Sequence, residues 1–115
     1  MPFSLLRSRP EARRTATLVG GALLPEGEAR RVYLGGQLIL VAHVEGRFYA
    51  ISALCTHWPE LIDPASLRGC EVRCPVHWAT FDVRTGKATG GPTRKGVAVF
   101  PVRVVGEDLL IEFPE

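Results

Sequence analysis

The sequence predicts an all-β fold, a small antiparallel sandwich or barrel into which a separate loop-rich segment is inserted. Three observations carry this. Short runs rich in Val, Ile, Leu, Phe and Tyr, suited to a pleated and half-buried surface, recur along the chain. Glycine-bearing turns separate them and supply the backbone freedom of tight reversals. No window shows a convincing helical period. The 115 residues, 46% of them hydrophobic, suffice for one modest core and leave no room for a second catalytic domain.

Residues 1–14 are expected to form a flexible basic tail. Arg7, Arg9, Arg13 and Arg14 against Glu11 give it a net charge of +3, while the remainder nets −1. Exposed terminal arginines are ordinarily just solvated, so the tail is assigned neither a function nor a nucleic-acid partner. A single domain occupies residues 15–115. Strands are expected over residues 16–19, 29–34, 38–44 and 48–51, closed in turn by Gly20-Gly21, Gly35-Gly36 and Glu45-Gly46, which makes a β-meander. Over about residues 53–92 proline and glycine become frequent, and only Thr80 to Val83 reads as a strand, followed by a turn at Arg84-Thr85-Gly86-Lys87. Residues 97–105 and 108–113 then resume the alternation around Gly106-Glu107 and should pair with the opening strands. The inserted loops would lie at one end of the sandwich. No stretch approaches the roughly 20 apolar residues of a membrane span. The first residues also lack the long apolar segment of a secretory signal, so a cytoplasmic protein without membrane insertion is expected.

The insertion carries the chemistry. Cys55-Thr56-His57 is followed, after sixteen intervening residues, by Cys74-Pro75-Val76-His77. Each couple joins a soft thiolate to an imidazole, the ligand set of a [2Fe–2S] centre in which two histidines replace two cysteines on one iron. Two thiolates balance a ferric iron and its bridging sulfides, whereas neutral imidazoles leave the other iron less negative and easier to reduce. Zinc also takes two thiolates and two imidazoles, but zinc fingers usually group cysteines with cysteines and histidines with histidines; a zinc-binding structural module stands as an alternative. With Cys55 and Cys74 committed to metal, Cys70 is left alone as a buried or idle thiol and no internal disulfide forms. His43 lies in an apolar run and reads as structural. A mononuclear oxygenase iron needs two histidines and a carboxylate, and two spare histidines do not exist here, so the chain is not itself the oxygenase. The glycine pairs read as turns, not as phosphate loops.

These residues resemble the Rieske-type [2Fe–2S] ferredoxins, whose signature is Cys-x-His, some fifteen to seventeen residues, and Cys-x-x-His. The resemblance runs from about Thr15 to Phe113 and includes both couples, Phe81-Asp82-Val83-Arg84-Thr85-Gly86, and Gly91-Pro92. It implies that Cys55 and Cys74 bind an inner iron and His57 and His77 a solvent-facing one. Gly91-Pro92 would form a third loop over the cluster, and loop N–H groups would donate to the sulfides and tune the potential.

Departures from the family are informative. Rieske proteins of respiratory complexes carry a disulfide joining the two ligand loops at positions matching Glu60 and Val76, and none is possible here. They also place serine and tyrosine hydroxyls beside the cluster where this chain has Ala79 and Phe81. Without those donors the potential is expected toward the low end of the two-histidine range, about −150 mV. Relatives usually have glycine at the positions of Pro59 and Trp78, so loop shape should differ locally. Trp58 and Trp78, each following a ligand histidine, either flank the imidazoles as a docking surface or pack the cluster subdomain.

The resemblance implies a one-electron carrier rather than an enzyme, with one [2Fe–2S] cluster, a reductase as donor and an oxygenase or other redox enzyme as acceptor. Residues 53–92 hold four acids, Glu60, Asp63, Glu71 and Asp82, against Arg68, Arg73, Arg84 and Lys87, so no charge preference for a partner emerges. The alternative in a different class is a small Rieske-like subunit of a nitrite reductase or another multi-subunit oxidoreductase.

Overall fold

The computed structural model, which describes residues 13–55, 60–76 and 78–114, folds the chain into three antiparallel sheets. In chain order the elements are β1 (Arg13–Leu18), a 3-10 turn (Gly21–Leu23), β2 (Ala29–Leu34), β3 (Gln37–Val44), β4 (Arg47–Ser52), β5 (Asp63–Arg68), β6 (Glu71–Arg73), β7 (Thr80–Asp82), β8 (Ala88–Gly90), β9 (Val99–Phe100), β10 (Val102–Val105) and β11 (Asp108–Pro114). The first sheet has the order β9-β4-β3-β2, the second β10-β11-β1, and the third β5-β6-β7-β8. Among the described residues no helix is long and apolar enough to cross a membrane.

Tight turns set the registers. Gly35 and Gly36 join Leu34 to its partner Gln37 with φ of 63° and 83°, the left-handed pair that matches strand twist in a two-residue hairpin. Glu45 and Gly46 do the same between Val44 and Arg47, with φ of 54° and 77°. A non-glycine residue is held left-handed there because both turn amides donate to the Glu26 carboxylate, from Glu45 at 2.6 Å and from Gly46 at 2.8 Å. His43 fixes the same corner from behind. Its Nδ1 lies 2.7 Å from the Leu24 carbonyl, its ring stacks on Phe48, and its Nε2 is 3.4 Å from Glu26.

The central strands of the first sheet, β3 and β4, form a wall that feeds a core on each face. Leu40, Ala42, Val44, Ile51 and Ala53 point into one core, which they share with Cys55, Ile62, Val72, Cys74, Ala79, Phe81, Val83 and Val97. Ile39, Val41, Ala50 and Phe100 point into the other, against Leu109, Ile111 and Phe113 of β11. A strand buried on both sides needs apolar residues at successive positions, which is why Leu38 to Val44 reads as a nearly unbroken apolar run. Gly35 lies against the second core so closely that a Cβ would sit 2.6 Å from the Phe113 ring.

Three features differ from the sequence expectation. Residues 97–105 form two strands in two sheets, because Pro101 has no N–H to continue a ladder and marks the crossing from the first sheet to the second. The insertion contains a complete four-stranded sheet where one strand was expected. Its β5 lacks β-branched residues and contains Pro64, which an edge strand tolerates, and β6 and β8 are too short to carry a pattern. Finally, β1 begins at Arg13, inside the stretch read as tail: Arg13 and Arg14 pair with Pro114 and Phe113. Residues 1–12 lie outside the described residues.

The two turn amides hold the Glu26 carboxyl below its usual value of 4.5, with a smaller contribution from His43. A carboxylate with a depressed pKa adds stability that is full above the unfolded-state value and is lost as pH falls through the folded-state value. Glu26→Gln is therefore expected to lower the urea midpoint at neutral pH. The deficit should shrink on acidification below the usual glutamate range, and an NMR titration of the wild-type Glu26 carboxyl carbon should place its midpoint below 4.5.

Candidate metal centre

Both candidate cysteines open a loop, and the two loops are closed alike. The Cys55 amide donates to the Glu60 carbonyl at 2.8 Å, and the Cys74 amide donates to the Ala79 carbonyl at 2.8 Å. Beneath each closing bond lies an antiparallel pair, Leu54 with Leu61 and Arg73 with Thr80. The sequence thus places two loops of equal length, residues 55–60 and 74–79, one on an isolated antiparallel bridge and one on the β6–β7 strand pair. Both cysteines turn inward from the first position, 4% and 0% exposed, into the same core. Two soft donors in one dry core fit an iron–sulfur group whose negative charge must be kept from water. His57 and His77, with Trp58 and Pro59, lie outside the described residues.

The second loop is shaped by its last residues. The Trp78 amide donates to the Cys74 carbonyl at 2.9 Å, and Trp78 then adopts φ +59° before Ala79 closes the loop. At this position, where the family resemblance implies a glycine, the backbone takes the conformation a glycine would adopt without cost. A bulky residue in the left-handed region costs on the order of 1–3 kcal/mol. Burial does not offset it, because Trp78 is 61% exposed. The Arg73 guanidinium lies 4.8 Å from the indole centroid, an exposed cation–π contact that returns about 0.5–1 kcal/mol. Of the two roles expected for this tryptophan, packing the subdomain is therefore not the one it performs.

Gly91 brings the third loop against the second. Its φ is +90°, and a Cβ there would lie 2.6 Å from the Ala79 Cα and 2.9 Å from the Trp78 carbonyl oxygen. Only a residue without a side chain permits this backbone-to-backbone approach.

The cysteine loops have no hydroxyl at the two positions singled out in the sequence, Ala79 and Phe81, and both side chains are fully buried. Thr80 between them faces the other way, where its hydroxyl accepts a hydrogen bond from Thr89 at 2.8 Å. Asp82 pairs with Arg84 through two contacts, 3.1 Å from Nε and 2.9 Å from Nη2. That pairing depresses the Asp82 carboxyl and raises the Arg84 guanidinium. Cys70 is half-buried against the core around the ligand loops and also hydrogen-bonds Asp82. None of the three cysteines forms a disulfide. A groove of about 470 Å³ lies elsewhere, lined by Arg47, Phe48, Tyr49, Val99 and Pro101 among others, and neither Cys55 nor Cys74 contributes to it.

A β-sandwich with two cysteine-headed loops and a glycine-pinned third loop at one end defines a Rieske-type domain. The chain belongs to the Rieske [2Fe-2S] domain family, whose model matches residues 18–101; membership implies an iron–sulfur cluster. It is 35% identical over 89 residues, spanning 77% of this chain and 86% of the relative, to the ferredoxin component of a naphthalene 1,2-dioxygenase system from Pseudomonas aeruginosa. It is similar in structure to the ferredoxin of carbazole 1,9a-dioxygenase from Nocardioides aromaticivorans IC177, with a TM-score of 0.66, 32% identity, and coverage of 89% and 96% of the two chains. A second ferredoxin, solved in a complex of reduced oxygenase and oxidized ferredoxin in carbazole 1,9a-dioxygenase, superposes with a TM-score of 0.73 at 26% identity, covering 88% of this chain and 93% of that one. The chain is an electron-transfer protein of the ferredoxin kind and not itself an enzyme.

Gly91→Ala forces a left-handed alanine into the Ala79 backbone. It is expected to destabilise the protein by about 1–3 kcal/mol. A thermal melt should show the loss, and the cluster's visible absorbance should decay faster than in the wild type.

Proposed function

We propose that Cys55, His57, Cys74 and His77 hold one [2Fe–2S] cluster and that the chain carries single electrons from a reductase to an oxygenase. The observation that carries this is the shared burial of Cys55 and Cys74 at equivalent positions of two identically closed loops. The bound cluster supplies a one-electron couple between the diferric and mixed-valence states. The chain supplies two thiolates from a dry interior, two imidazoles from the same loops, and a rigid frame that keeps reorganisation on electron transfer small. Exchange then takes place at the edge that bears His57 and His77, and partners dock there transiently through a small interface.

The same reading takes the chain from the first strand at Arg13 onward as one domain into which residues 53–92 are inserted. It also keeps the protein in the cytoplasm, where a reducing environment suits three cysteines that form no disulfide. A low potential follows from Ala79 and Phe81, since neither can donate to a sulfide or to a cysteine sulfur.

Reduction of the purified protein with dithionite is expected to bleach its visible bands and produce the EPR signal of a mixed-valence cluster with two histidine ligands. A colourless protein with about one zinc per chain and no iron would overturn the assignment in favour of a zinc module. Replacing the missing donors, in Ala79→Ser and Phe81→Tyr, is expected to raise the midpoint potential in redox titrations, because each new hydroxyl stabilises the reduced cluster more than the oxidised one.

A further inference from the structure

We propose that Arg73 is a fixed positive charge of the second ligand loop, held in place by Trp78, and that it raises the reduction potential of the bound cluster. The inference rests on the reading that Cys74 and its partners hold a redox cluster. Arg73 is the last residue of β6 and immediately precedes Cys74. Its amide donates to the Ser66 hydroxyl of β5 at 2.7 Å, beside the register shift in the β5–β6 ladder. Its guanidinium is secured by the Trp78 ring. The residue is thus tied to β5 at its amide and to the loop that Cys74 opens at its guanidinium.

The charge is not cancelled in place. Among the described residues no carboxylate lies within ion-pair distance of Arg73. Glu71 stands two residues further from the ligand on the same strand, and Asp82, its cross-strand partner, is taken by Arg84. Trp78 completes the argument from the other side. Its backbone is strained and its indole largely exposed, so the fold gains little from it, and the ring contact it makes among the described residues is the one with Arg73.

Reduction brings one electron from the donor protein onto the cluster and moves no proton to or from Arg73, which stays charged throughout. A fixed cation beside the site therefore favours the reduced state, as net charge around such clusters does generally. Trp78 is a positioning residue that acts through Arg73.

Redox titration of the holoprotein, followed by EPR at low ionic strength, tests this. Arg73→Gln is expected to reduce the equilibrium constant for reduction about two- to tenfold, tenfold being roughly 59 mV for one electron, with an unchanged EPR signal. Arg73→Lys should restore most of the loss. Trp78→Gly suits the left-handed backbone and so folds, and it should shift the potential the same way by less. The double variant should fall no lower than Arg73→Gln alone, and added salt should narrow every difference. Arg68→Gln, a control at the far end of the same hairpin, should leave the potential unchanged. A native EPR signal with a wild-type potential in Arg73→Gln would overturn the proposal while leaving the cluster assignment intact. A wild-type protein without an iron cluster would overturn both.

Discussion

The hydrogen bond that closes each cysteine loop is the constraint on which the site depends. A cysteine amide bound to a carbonyl five residues on closes the loop at its base and fixes the direction in which the cysteine enters it. Because both loops obey the same rule, both cysteines face the same interior. The four-stranded inserted sheet and the apolar face of β3 and β4 exist, from the site's standpoint, to hold those two closing bonds at the right separation.

The electrostatic layout follows the same logic. The interior around Cys55 and Cys74 is apolar, and the positions where hydroxyls would stabilise added charge hold Ala79 and Phe81. Charged groups are kept at the loop surface and are either neutralised locally, as in Asp82 with Arg84, or left single, as in Arg73. The site thus combines a dry, donor-poor centre with a sparse and specific set of surface charges. In such an environment a single surface cation weighs more than it would in a polar site.

Much of this was legible in the sequence, for identifiable reasons. The strands around Gly35-Gly36 and Glu45-Gly46 were readable because two-residue turns fix register locally. The cysteine loops were readable because the mixed spacing of thiolate and imidazole is chemically unusual. The inserted sheet was not readable, since β6 and β8 are three residues each and β5 contains Pro64. Those strands form because they pair with one another over a core supplied by distant residues, which no local window contains. The break at Pro101 was present in the text but hidden by apolar residues on either side of it. The Arg73–Trp78 contact depends on a left-handed backbone at residue 78, and nothing in the residues themselves announces that conformation; only the usual glycine of relatives pointed to it.

The doubly buried wall also bears on how the protein is assembled. Because β3 and β4 divide the interior into two separate cores, the core of the inserted loops can loosen while the sandwich formed with β11 stays packed. Packing lost at the loop end therefore need not spread through β3 and β4, and the two halves of the molecule are built up around one shared wall.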